Sequence, residues 1–170
     1  MRFILFVWLI APLILTGQTI TAVQQNTLNN YVDYTNKSAE EMSSITTSVI
    51  KYFADLRRYQ ARSYLGVPRY ACPLQSDTYY FNKAMTETHG LDAATGATLK
   101  RKTEKLKSAS VKIDSLCKAL DTYHKLQDYK QDNFGKAQAL IKDLIPLMES
   151  WNRSQTELAA ALSAAFRKLQ

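Results

Sequence analysis

Two histidines are the first place to look for chemistry in this chain. Asp121, His124 and Asp128 are spaced by three and four residues, which on a helix puts them on one face. An imidazole between two carboxylates could ligate a divalent metal. With no second histidine in reach, however, ordinary solvated polar residues are the better account. His89 has Glu87 nearby and no placed nucleophile. No HExxH, nucleophile elbow, phosphate loop or paired CxxC occurs. The residues therefore predict no enzyme, and neither a cofactor nor a bound metal.

Cysteine chemistry is the next candidate. Cys72 and Cys117 allow two readings: a disulfide, or two buried thiols with Cys117 beside Leu116 and Leu120. A bridge would add about 4 kcal/mol in the chain-entropy treatment. Reach does not favour it. If a helix starts near Leu91, Cys117 lies about 39 Å along it, whereas Cys72, eight residues beyond Tyr64, extends only about 27 Å from it. A nucleophilic Cys117 would need an open, electropositive site, and its leucine neighbours are the opposite.

Charge suggests binding instead. Thr98–Lys112 holds six basic residues and one acid. Arg57, Arg58, Arg62 and Arg69 lie earlier in the chain. If the first two long helices were antiparallel, these two groups would merge into one basic end. Arg57, Arg58, Lys100, Arg101, Lys105 and Lys107 would then meet an anionic glycan or lipid surface. The simpler account of the Thr98–Lys112 stretch is a solvated face whose lysine stems cover the edge of a core. Tyr52, Phe53, Tyr59, Tyr64, Tyr70, Tyr79, Tyr80 and Phe81 gather in the same region. Packing explains most of them, although tyrosine is also common at recognition surfaces.

The elements that must position these residues are long helices. Leu28, Thr35, Met42, Val49 and Leu56 recur every seven residues, with Tyr31, Ser38, Ile45, Tyr52 and Tyr59 between them. That period belongs to a helix packed on other helices. It returns at Leu99, Leu106, Ile113 and Leu120, with Ala109, Leu116 and Tyr123 interleaved. A third stripe runs through Ala137, Leu144, Trp151, Leu158 and Ala165. The expectation is an all-α fold, an elongated antiparallel bundle of three long helices over about 27–64, 91–128 and 133–169. Asp132 is the expected N-cap of the third helix, and Pro146 should kink it. The connector 66–90 is too long to be structureless; Asp77 is expected to cap a short helix in it, ending near Glu87.

Composition agrees with a single domain. The chain has 170 residues, 46% of them hydrophobic, and only five glycines, too few for the turns of a nucleotide-binding α/β enzyme. After Arg2, an apolar run to Leu15 and a small-residue exit ending at Ala22 read as a secretory signal peptide over 1–22. Cleavage after Gly17 is the rival cut, and a retained anchor the rival fate. Removing 1–22 takes away only Arg2, so the net charge falls from +7 to +6. That charge is too mild to point to nucleic acid, and the mature domain, 23–170, is expected outside the cytoplasm, periplasmic or secreted.

The segment Thr27-Leu-Asn-Asn-Tyr-Val-Asp-Tyr-Thr-Asn-Lys-Ser38 resembles the start of helical extracytoplasmic domains in Bacteroidetes envelope proteins. It is also distantly similar to the YiiG-like helical proteins of unknown function. The resemblance implies a bacterial envelope setting and brings no catalytic or ligand residues. Together these readings predict a binding or structural module of the envelope with a protein partner; a polyanion or membrane-surface binder is the alternative.

Overall fold

The computed structural model describes residues 20–63, 65–73 and 78–169. Most of the signal-peptide segment, Tyr64 and the expected cap Asp77 lie outside the described residues. Among the described residues there are helices and no strands. The elements are α1 (Ala22–Gln60), α2 (Tyr79–Thr86), α3 (Ala93–Lys125), the single turn α4 (Tyr129–Asp132) and α5 (Gly135–Lys168).

Helix α1 starts five residues earlier than its apolar stripe because of a polar cap. The Thr21 hydroxyl accepts from the Gln24 backbone N–H at 3.2 Å, and the Gln24 side chain accepts from the Thr21 N–H at 3.0 Å. Two orphan donors are satisfied reciprocally. Along α1, Leu28, Tyr31, Met42, Ile45, Val49, Tyr52 and Leu56 are all buried. Thr35 and Ser38 occupy the same stripe and are buried too. Thr35 is accommodated because its hydroxyl donates to the Tyr31 carbonyl one turn back, at 2.7 Å. In α3 the buried face takes in Cys117 and Thr103, and Leu116 is left at its edge.

The direction of the helices departs from expectation. Near the start of α1, Gln24 donates to the Gly90 carbonyl at 2.9 Å and Thr27 to that of His89 at 2.7 Å, just ahead of α3. Near its end, the Tyr52 hydroxyl lies 2.8 Å from His124 Nε2, at the end of α3. Helices α1 and α3 are therefore parallel. Helix α5 is antiparallel to α3, since Glu157 meets Lys105 at 3.0 Å and Lys168 meets Asp92 at 2.9 Å. The short link between α3 and α5 leaves no other choice. The described parts of the segment between α1 and α3 run back along the bundle, from Cys72 beside Cys117 to Glu87 beside Asn30, with α2 packed against α1 near the start of α1. Phe81 on α2 packs edge-on against Tyr34 of α1, with ring centroids 5.7 Å apart.

Two tight reversals make this path work. Gly90 has φ +82°, and a Cβ there would come within 3.1 Å of the Gln24 side chain, so this position requires glycine. Between α4 and α5, Asn133 and Phe134 both take left-handed backbone, with φ 50° and 68°. The Asp132 carboxylate holds that turn by accepting from the Phe134 N–H at 3.1 Å and the Lys136 N–H at 2.8 Å. Asp132 thus serves as the expected cap acceptor from within α4, while Phe134 is the residue at the helix boundary. Phe134 is buried and stacks on Tyr129, centroids 5.2 Å apart. Helix α5 passes through Pro146 without interruption.

Candidate binding cleft

The parallel pairing of α1 and α3 separates the residues expected to form one basic patch. Arg57 and Arg58 are in the last turn of α1, at the end of the bundle where Tyr59 meets Phe134. Lys100, Arg101, Lys105 and Lys107 occupy the first half of α3, where the Lys107 ammonium lies 5.7 Å above the Phe81 ring. On α3, Lys100–Lys107 lie 18–25 residues before Lys125, the end that Arg57 and Arg58 adjoin, a rise of roughly 27–38 Å. The expected merged patch does not form. Part of the α3 group is also neutralised locally: Glu157 pairs with Lys102 at 3.4 Å and Lys105 at 3.0 Å, and both hold its carboxyl below the usual range.

The same reversal resolves the cysteines. Helix α1 ends at Gln60, and the returning chain brings Cys72 level with Cys117. Their Cα atoms are 5.4 Å apart and the sulfurs are bonded. The reach argument fails because Cys117 lies beside the second half of α1, where the connector passes. A bonded Cys117 is no nucleophile. The Tyr70 hydroxyl donates to its sulfur at 2.9 Å, and burial pushes that hydroxyl up to about 12.

Asp121, His124 and Asp128 do not converge. Asp121 pairs with Lys125 at 2.5 Å, and His124 is turned to Tyr52. Among the described residues no group of three ligating side chains occurs. His124 is instead ringed by aromatics, with Tyr52, Tyr123 and Tyr129 centroids at 4.9, 5.4 and 5.6 Å. Burial lowers its pKa and the Asp121 charge opposes that shift. Tyr123 donates to Asp132 at 2.5 Å, which holds the Asp132 carboxyl below its ordinary value. His89 is exposed at the turn before α3.

Against this packed end lies an open cleft of about 680 Å³ between α1 and the returning chain. Ser48, Lys51, Tyr52 and Asp55 line one wall, and Gly66, Val67, Arg69 and Ala71 the other. Ser48, Lys51 and Asp55 lie on the flank of α1 next to its buried stripe, to which Tyr52 belongs. Ser48 donates to the Ala71 carbonyl at 3.3 Å and so fixes the far wall, which the disulfide at Cys72 secures. Among the described residues no carboxylate pairs with Lys51 or Arg69; Asp55 is 3.9 Å from Arg58. Leu65, the chain neighbour of the lining residue Gly66, is 98% exposed, and Val67 40%. No family model matches the chain, and no curated protein or solved structure matches it.

Sequence reasoning named Arg69 and the aromatics but missed the cleft. Lys51, Gly66 and Val67 sit on no repeating pattern, and only the direction of the returning chain brings them opposite one another. The polar, cation-rich walls lack any nucleophile–base pair. They are suited to holding a ligand by charge and by contact.

Proposed function

We propose that this protein is a secreted or periplasmic helical-bundle module of the cell envelope that acts by binding a protein partner. The observation that carries the reading is the cleft. Its walls are tied by a disulfide and by Ser48 on the Ala71 carbonyl, its two cations pair with no carboxylate among the described residues, and Leu65 and Val67 are exposed beside them. Exposed apolar side chains next to unpaired charge are a common composition for a recognition surface. The envelope setting draws on the apolar leader, the two cysteines and the resemblance of Thr27–Ser38. A disulfide suits an oxidising compartment. Among the described residues no helix is long and apolar enough to cross a membrane.

The test is retention of envelope proteins on the tagged full chain at low and at high salt. A discrete protein held at both salts, more weakly at high salt, and lost from Leu65→Asp with Val67→Asp, is the expected result. Identical retention by that variant would overturn the reading.

The alternative is a polyanion or membrane-surface binder acting through Lys100, Arg101 and Lys107 of α3. Its support is the exposed Arg101 and the run of lysines around it. It predicts affinity that falls steeply with salt and is lost from Lys100→Glu with Arg101→Glu.

A further inference from the structure

Between Lys51 and Pro73 the chain carries five cations, Lys51, Arg57, Arg58, Arg62 and Arg69, against one acid, Asp55. The acid is occupied by Arg58 at 3.9 Å. Arg57 lies 5.9 Å over the Phe53 ring, on the other flank of α1. Lys51 and Arg69 remain, one on each wall of the cleft, both exposed. Nearby Asp121 is already held by Lys125 at 2.5 Å. Three of the eight lining residues are charged. Cavities for small apolar ligands have mostly apolar walls, so this composition points to a solvated, charged chain. Val67 adds an apolar contact on one wall, and the exposed Leu65 lies two residues before it in the chain.

We infer that the cleft takes an acidic peptide segment of the partner protein, with carboxylates at Lys51 and Arg69 and an apolar side chain against Val67. The inference rests on the cleft being the binding surface and specifies what fills it. A carboxylate can bridge the two walls without breaking an ion pair, because among the described residues neither cation is paired with a carboxylate. Arg69 supplies a planar fork suited to a bidentate carboxylate, and Lys51 a compact charge.

The experiment is fluorescence anisotropy on the full chain with its disulfide intact. The probe is a labelled pentapeptide alternating aspartate and leucine, compared with its lysine and leucine counterpart. The expected result is binding of the acidic peptide alone, weakened on the order of ten-fold or more by Lys51→Glu with Arg69→Glu. Lys51→Gln with Arg69→Gln should give a smaller loss, and Lys100→Glu with Arg101→Glu none. Both cleft positions are exposed, and an unchanged melting curve confirms that the variants fold. Equal binding of both peptides, no binding of the acidic one, or an affinity unmoved by the reversed pair would overturn the inference. So would heparin or phosphatidylglycerol vesicles binding through Lys51 and Arg69 without competition from the peptide. Failure here, with a discrete envelope protein still retained at high salt, removes the acidic occupant and leaves the binding module standing.

Discussion

Helix α3 is held from two sides by different means. Toward α5 the contact is continuous side-chain packing, with Leu106, Ile113, Trp151 and Leu158 fully buried. Ser110 accepts the Trp151 indole N–H at 2.9 Å, and the buried Ser154 hydroxyl donates to the Ser150 carbonyl within α5 at 3.0 Å. Toward the returning chain the ties are discrete. They are one disulfide, the Tyr70 hydroxyl on its sulfur, and, from α1, a row of polar side chains at Gln24, Thr27 and Asn30. The first side draws its stability from area. The second depends on a few particular atoms, and that is the side on which the cleft is built.

This contrast predicts a hierarchy of losses. Trp151→Ala should cost the most, about 3–5 kcal/mol, read from urea unfolding. A smaller loss than that from removing the disulfide would break the comparison. Replacing Cys72 and Cys117 by serine should cost about 2–4 kcal/mol and raise protease cleavage within 61–78, while amide protection in α3 and α5 persists. Asn30 is buried and donates to Glu87 at 2.8 Å. Asn30→Ala should cost about 1.5–3 kcal/mol, with faster amide exchange confined to 87–90. In the chain that keeps Thr21, uncut or cut after Gly17, Thr21→Ala removes the cap of α1 and should cost about 1 kcal/mol by the same unfolding measurement.

The last prediction concerns pH. Burial lowers the pKa of His124 in the fold below its ordinary 6.5. Below that pH the unfolded chain therefore binds more protons at this site than the native chain, and stability falls as the imidazole of the unfolded state titrates. Melting temperature should drop from pH 7.5 to 5.5. His124→Phe should flatten that slope, whatever it does to the midpoint; an equally steep slope would place the titration elsewhere.

The two sides also differed in how far they could be read from the residues. The α3–α5 seam follows a seven-residue period, and Leu99, Leu106, Ile113, Leu144, Trp151 and Leu158 were legible from that period alone. Even the polar Thr35 and Ser38 lie where the stripe of α1 puts them, because small hydroxyls can be satisfied within a helix. The returning chain has no period. Its course depends on Gly90 tolerating a close approach, on Asn30, Thr27 and Gln24 facing it, and on a covalent bond, each a long-range partnership with no local signature. Helix direction was lost with it, since a connector long enough to cross over is equally long enough to run back. The merged basic patch failed for that reason, and the cleft went unseen for the same one.

The polar ties at Gln24 and Gly90 and the ion pair of Lys168 with Asp92 have a consequence for how the molecule can be mounted. They put the beginning of α1 and the end of α5 at one end of the bundle. The described chain begins and ends near one another, and the cleft beside Lys51 stands roughly 40 Å away along α1. Anything holding the protein by either end of the described chain would present the cleft at a distance, as a head on a rigid stalk.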